Sequence, residues 1–334
     1  MPQTNNETPP LHSSGSRYET IGNRGVSHLT RLCAGLSTQN FSAFGLTRKT
    51  QQLGGTLECQ SGREHMSYSM SFLRDNLSEV FEMLSDSALH PLFHPWEVSA
   101  QSTRLLTEIN ARCPTVMAVE MLHEAAFRAE GLGNSLFVPD YRIGKVTPEQ
   151  LQDFVKTTHT SSRLAFVGLG VEHGPLVKLA RALKPGSGSG LKAPSAYGGG
   201  EIRRETGGPL AYVAVAGPGA RVDSNDAASL AIAQFILGTG PGTKYGSNAS
   251  SKLASVVSGA GGTGTALALN ANYSDGGLFG FLVAEEADKA GDVSGVVRAV
   301  AKAIRSLKVT EEEVKNAKAK AKSAVLMSAE SSGE

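Results

Sequence analysis

Pro185 to Gly200 is the stretch that most constrains how this chain can fold, because the halves on either side of it repeat one order of elements. It is built mainly of glycine, serine, proline and alanine, with few apolar side chains to anchor backbone, which is the composition of a flexible linker. Before it, the alternating runs 56–61 and 65–73 are joined by a short turn at Gly62 and read as an antiparallel strand pair. Leu77, Val80, Phe81 and Leu84 follow at helical spacing, and Trp96-Glu97-Val98 opens a second helix to about Ala111. After the linker, a strand pair over 265–273 and 277–284 leads to a helix over 287–306, and Glu312-Glu313-Val314 opens another. Period-two strands mixed with many helices bury their apolar faces by packing helices on an antiparallel sheet. The expected fold is therefore α+β: two repeated domains, 15–184 and 201–334, each an antiparallel (mixed) sheet covered by helices. The first half continues well past its second helix and the second does not, so the second domain is read as incomplete.

Further helices are expected over 39–53, stopped by Gly54-Gly55, and from Pro114 to about Ala129 with Gly131 just beyond. Another starts at Thr147-Pro148-Glu149, and a last one in the first half covers 176–183. Arg163–Gly168 and Leu210–Ala216 read as strands and 226–237 as a helix. The chain has 334 residues, enough for two ordinary cores. Its 32 basic and 31 acidic residues cancel, so nothing points to nucleic acid or an anionic membrane surface as partner. Cys33, Cys59 and Cys113 show no C-x-x-C spacing and read as free thiols rather than a disulfide framework. No run approaches the roughly 20 apolar residues of a membrane span. Residues 1–14 carry Glu7 as their sole charge and lack the Arg-rich amphipathic pattern of a mitochondrial transit peptide, so the N-terminus reads as truncated or alternatively initiated.

The chemistry centres on His28-Leu29-Thr30-Arg31-Leu32. An inverted zinc motif, H-x-x-E-H, needs two imidazoles four residues apart on one helix face, and a glutamate to deprotonate the metal-bound water. Here only the first histidine stands. Arg31 occupies the glutamate position and Leu32 that of the second ligand, and neither side chain can do the job. Gly54-Gly55-Thr56-Leu57-Glu58-Cys59 follows, then Ser61-Gly62-Arg63-Glu64-His65, then Leu136-Phe137-Val138-Pro139-Asp140-Tyr141. With Gly246-Ser247-Asn248 and Asn272-Tyr273-Ser274-Asp275-Gly276-Gly277, this order of segments resembles the insulinase-like (pitrilysin-type) metallopeptidase superfamily. Within it, the chain is similar to the non-catalytic core subunits of respiratory complex III, the mitochondrial ubiquinol–cytochrome c reductase. The resemblance runs from about Gly15 to Ser332.

That resemblance implies an assembly role without catalysis, on the matrix side of the mitochondrial inner membrane. The implied partners are a sister subunit, core protein 1, and the other complex III subunits. It also implies that Glu108 stands where active members place a third zinc ligand. One carboxylate with one histidine makes a poor zinc site, so no metal is expected at His28, Arg31, Leu32 and Glu108. No cofactor is expected either, since no haem-attachment or four-cysteine pattern occurs. His90-Pro91-Leu92-Phe93-His94 has histidines four apart, but its prolines point to a turn. Gly238, Gly240, Gly242, Lys244 and Gly246 form a glycine-rich loop that lacks the G-K-[ST] ending of a phosphate loop. Related processing peptidases carry such a loop in their non-catalytic subunit, which makes presequence peptides a candidate ligand. The alternative role is accordingly the presequence-binding, non-catalytic partner of a mitochondrial processing peptidase.

Overall fold

The computed structural model describes residues 6–7, 10–12, 14–188, 193–240, 251–287 and 290–330. The first elements are β1 (Asn6–Glu7), β2 (Pro10–His12), α1 (Val26–Leu32), α2 (Ala43–Gln52), β3 (Thr56–Ser61) and β4 (Met66–Phe72). Then come α3 (Leu77–Leu89), α4 (Pro95–Asn110), α5 (Pro114–Phe127), α6 (Pro148–Thr158), β5 (Leu164–Phe166) and α7 (His173–Ala182). Beyond the glycine-rich stretch lie β6 (Leu210–Pro218), α8 (Asn225–Leu237), α9 (Lys252–Gly259) and β7 (Thr265–Asn272). They are followed by β8 (Gly277–Glu286), α10 (Ala290–Arg305) and α11 (Glu311–Ser328). Helices on small antiparallel sheets give the expected α+β class. The chain divides into two compact units, Met1–Arg112 with Ala129–Pro194, and Cys113–Arg128 with Ser195–Ser331.

In the first unit β4 is the hub. Its residues alternate, with Met66, Tyr68, Met70 and Phe72 buried and the serines between them partly exposed. That pattern admits one register, because a one-residue slip would turn the four large side chains outward. β3 lies antiparallel along one edge, from Thr56 opposite Ser71 to Ser61 opposite Met66. β1 and β2 share the other edge, and β5 pairs antiparallel with β2. Two- and three-residue strands have no period to read, which is why 1–14 showed no element in the sequence. The buried face packs against Leu29, Leu32, Leu84, Leu105 and Leu151 from α1, α3, α4 and α6. Gly15-Ser16-Arg17 docks on the β3–β4 turn. Arg17 N–H donates to Arg63 O at 2.9 Å, and the Arg17 and Glu64 side chains form an ion pair. Buried Arg63 donates to the carbonyls of Leu132 and Asn134 at 3.1 and 2.5 Å.

In the second unit β8 is central, in the order β6-β8-β7, both neighbours antiparallel. Leu253, Val257, Ala266, Phe281, Val283 and Val296 share a core under α9 and α10. The helix α9 carries too short a period to show in the sequence, because Leu253, Val256 and Val257 span only two turns before Gly259. α5 packs on β6, and His123 ties it to the β7–β8 turn. The His123 Nδ1–H donates to Val119 O and its Nε2 accepts from the Tyr273 hydroxyl, both at 2.7 Å. The end of the glycine-rich stretch lies on α5: Gly198 and Gly199 N–H both donate to Ala126 O, at 2.8 and 3.1 Å. A Cβ on Gly200 would come within 2.9 Å of Ala125 O. These glycines admit close approach of two backbones, a use of glycine that composition cannot tell from flexibility.

Candidate functional site: a closed histidine–glutamate–arginine cluster

α1 is only seven residues long, and it is set from outside its own sequence. Its N-cap Gly25 has φ 85°, and a Cβ there would lie 2.8 Å from Val138, so only glycine fits. The capping oxygen comes from buried Glu19. Its Oε2 accepts the Gly25 N–H at 2.8 Å, and its Oε1 accepts the Ser27 N–H at 2.8 Å and the Ser27 hydroxyl at 2.6 Å. Burial pushes the Glu19 carboxyl up to about 7, against the lowering pull of these three hydrogen bonds. No capping signature betrays Glu19 in the sequence, because it stands six residues before the helix-entry glycine rather than at a cap position.

Thus placed, α1 brings His28 to Glu108 on α4. The Val138 N–H donates to His28 Nδ1 at 3.2 Å, so in the neutral imidazole the proton sits on Nε2. Nε2 faces Glu108 Oε2 at 3.1 Å and donates to it. The Phe137 ring meets the imidazole edge-on at 5.4 Å, which completes the enclosure. Burial is the main influence that pushes His28 down, with the Arg31 charge adding to it and the Glu108 contact opposing. The imidazole is therefore neutral and fully engaged.

Arg31, one turn along α1, donates to the same Glu108 Oε2, and Arg104 Nε lies 3.5 Å from Oε1. Burial would push the Glu108 carboxyl up. The hydrogen bonds from His28 and Arg31 and the Arg31 charge outweigh that and hold it below the usual carboxylate range. Leu32, 1% exposed, packs in the hydrophobic core one turn after His28 and offers no ligand atom. The structure thus joins His28, Arg31 and Glu108 by hydrogen bonds, and Leu32 beside them contributes only apolar packing. A catalytic zinc needs free imidazole lone pairs and an open position. Here Nε2 holds a proton, Nδ1 accepts from backbone, and the carboxylate already has a permanent cation. Among the described residues no three metal-ligating side chains converge.

The other motifs separate in space. His90 ends α3 and faces Asp86 at 3.2 Å, Phe93 takes φ 50°, and His94 stacks on Trp96. The segment is a joint between helices, as its prolines suggest. In the glycine-rich loop, Gly238 closes α8 and its carbonyl accepts from Ala268 N–H at 2.8 Å. A Cβ on Gly238 would meet Ser251 at 2.4 Å. Gly240 also has positive φ, and Gly242, Lys244 and Gly246 lie outside the described residues.

Comparison with known proteins agrees with this geometry. The model of the insulinase family, peptidase family M16, matches residues 13–140, and that of the M16 inactive domain matches 145–321. Cytochrome b-c1 complex subunit 2, mitochondrial, is 38% identical in Rattus norvegicus over 96% of this chain and 72% of that protein. The Homo sapiens protein of the same name is 39% identical, over 96% and 71%. A probable mitochondrial-processing peptidase subunit alpha-2 of Arabidopsis thaliana is 30% identical over 95% of this chain and 65% of its own length. With a neutral, doubly engaged histidine and an arginine where a peptidase needs its glutamate, the chain belongs to the insulinase family as a non-catalytic member, in the group that holds cytochrome b-c1 complex subunit 2.

Proposed function

We propose that this chain is a core subunit of the mitochondrial ubiquinol–cytochrome c reductase, complex III, supporting assembly and structure of the complex without catalysing a reaction. The observation that carries the reading is the replacement of metal chemistry by the ion pair of Arg31 with Glu108. A guanidinium satisfies the carboxylate permanently, so the helix keeps its place without zinc. The name borne by two similar relatives supplies the complex. Among the described residues no helix is long and apolar enough to cross a membrane. In this reading the subunit sits on the matrix side of the inner membrane, attached through other subunits, with core protein 1 as its paired partner.

The test is purification of the tagged chain from mitochondria under conditions that preserve complexes, followed by native electrophoresis. Co-migration with haem-bearing subunits and with core protein 1 is the expected result. Recovery with an H-x-x-E-H peptidase subunit and no haem would overturn it in favour of a presequence-binding role in a processing peptidase. That second reading draws on the similarity to processing-peptidase subunits and on the glycine-rich loop at 238–246.

A further inference from the structure

A cleft of about 260 Å³ opens in the first unit, where the joint between α3 and α4, the later turns of α6 and the segment after α7 come together. It uses the His90–Phe93 motif, which the degenerate zinc site leaves unexplained. Its walls are held by specific bonds. Gln152 donates to Leu92 O at 3.1 Å, which pins α6 to the α3–α4 joint. Pro91 bridges to Thr38, and Gly186 bridges to Thr160 and accepts the Ser161 N–H at 3.0 Å. Phe93, buried, keeps a left-handed φ of 50°, a conformation that a bulky residue adopts only when its surroundings impose it.

The lining divides by chemistry. Leu89, Phe93 and Val155 give an apolar floor, while Lys156 and Lys184 bring two exposed ammonium groups. The lining holds no carboxylate. Asp86, the acid one helical turn before His90, is engaged by His90, Thr38 and Asn40. Neither lysine takes part in an ion pair among the described residues. Two cations in a cleft whose lining is otherwise part apolar (Leu89, Phe93, Val155) and part neutral polar (Gln152) match a ligand with a doubly charged head and an apolar body. A phosphate monoester carries close to two negative charges at neutral pH, whereas a carboxylate answers only one of the lysines.

We propose that this cleft binds an organic phosphate monoester, its head between Lys156 and Lys184 and its apolar body on Leu89, Phe93 and Val155. Such a group reaches a protein either as a soluble molecule or as the headgroup of a phosphatidic acid. The full chain would be titrated with phenyl phosphate, and with inorganic phosphate and phenol as half-ligands. In parallel, it would be sedimented with phosphatidylcholine vesicles with and without phosphatidic acid.

Saturable binding of phenyl phosphate is expected, with each half-ligand at least about tenfold weaker. Lys156→Gln and Lys184→Gln should each weaken it by about tenfold, and the double variant should abolish it. Thermal unfolding should not change, since both side chains are exposed. Sedimentation that requires phosphatidic acid and is lost in the double variant would identify the lipid as the source. Phenyl phosphate binding without such sedimentation would identify a soluble one. If phenyl phosphate binds no tighter than inorganic phosphate, or binds the double variant equally well, the proposal is overturned.

Discussion

Arg31 and a metal ion would compete for one carboxylate, and in this chain the arginine is covalently present. Restoring the motif by Arg31→Glu with Leu32→His removes that competitor and returns two imidazoles four residues apart, with Glu108 near at hand. After dialysis against zinc, the double variant should retain about one equivalent and the unaltered chain far less. Equal zinc content in the two would show that Arg31 and Leu32 are not what disables the site. The two carboxylates near α1, buried Glu19 and partly exposed Glu108, respond to pH with opposite sign. Glu108, held low, stabilises the fold above its unfolded value of 4.5 and loses that contribution as pH falls below it. Glu19, raised to about 7, takes up a proton more readily in the folded chain, so its contribution grows as pH falls from 7 towards 4.5. Relative to Glu19→Gln, the unaltered chain should gain stability over that range by on the order of 3 kcal/mol in urea unfolding. A difference that stays constant between pH 8 and 5 would contradict the assignment.

At the scale of elements, what could be read was whatever carried its own period. The β3–β4 hairpin shows alternation along four large side chains, and α6 announces itself by the Thr147–Gln150 capping box with Pro148 in its first turn. α1 could be suspected only from its motif: its cap comes from Glu19 and its entry angle from Gly25 against Val138. The glycines at 198–200 look like spacer residues, yet the amides of Gly198 and Gly199 bind the C-terminal end of α5 and the missing side chain of Gly200 makes room for it. Gly200→Val should therefore lower stability by about 1–3 kcal/mol through overpacking, read as a drop in the unfolding midpoint. Unchanged stability would restore the reading of this segment as a slack tether.

For the whole molecule, the compact units do not follow the order of the chain. α5 lies before the glycine-rich stretch but packs with β6 beyond it, and His123 joins it to Tyr273. A fragment of residues 201–334 lacks α5, so it should expose the face of β6 that α5 covers and self-associate in light scattering. A fragment that joins residues 113–128 to 195–331 should do so less. If 201–334 alone is monomeric and unfolds in one cooperative transition, α5 contributes little to that unit.

The sequence by itself determined the family, the α+β class and the loss of zinc chemistry, because those rest on residue types and on periods within single segments. Arg31 cannot be a base, and Leu32 cannot bind metal, wherever they lie. Only the tertiary structure decided what replaced the metal: that Arg31 reaches Glu108, that Val138 sets the tautomer of His28, and that Glu19 holds the helix they share. Each of those contacts joins segments distant in sequence or outside any local motif, and hydrogen bonds and close packing between such segments leave no period for the sequence to display.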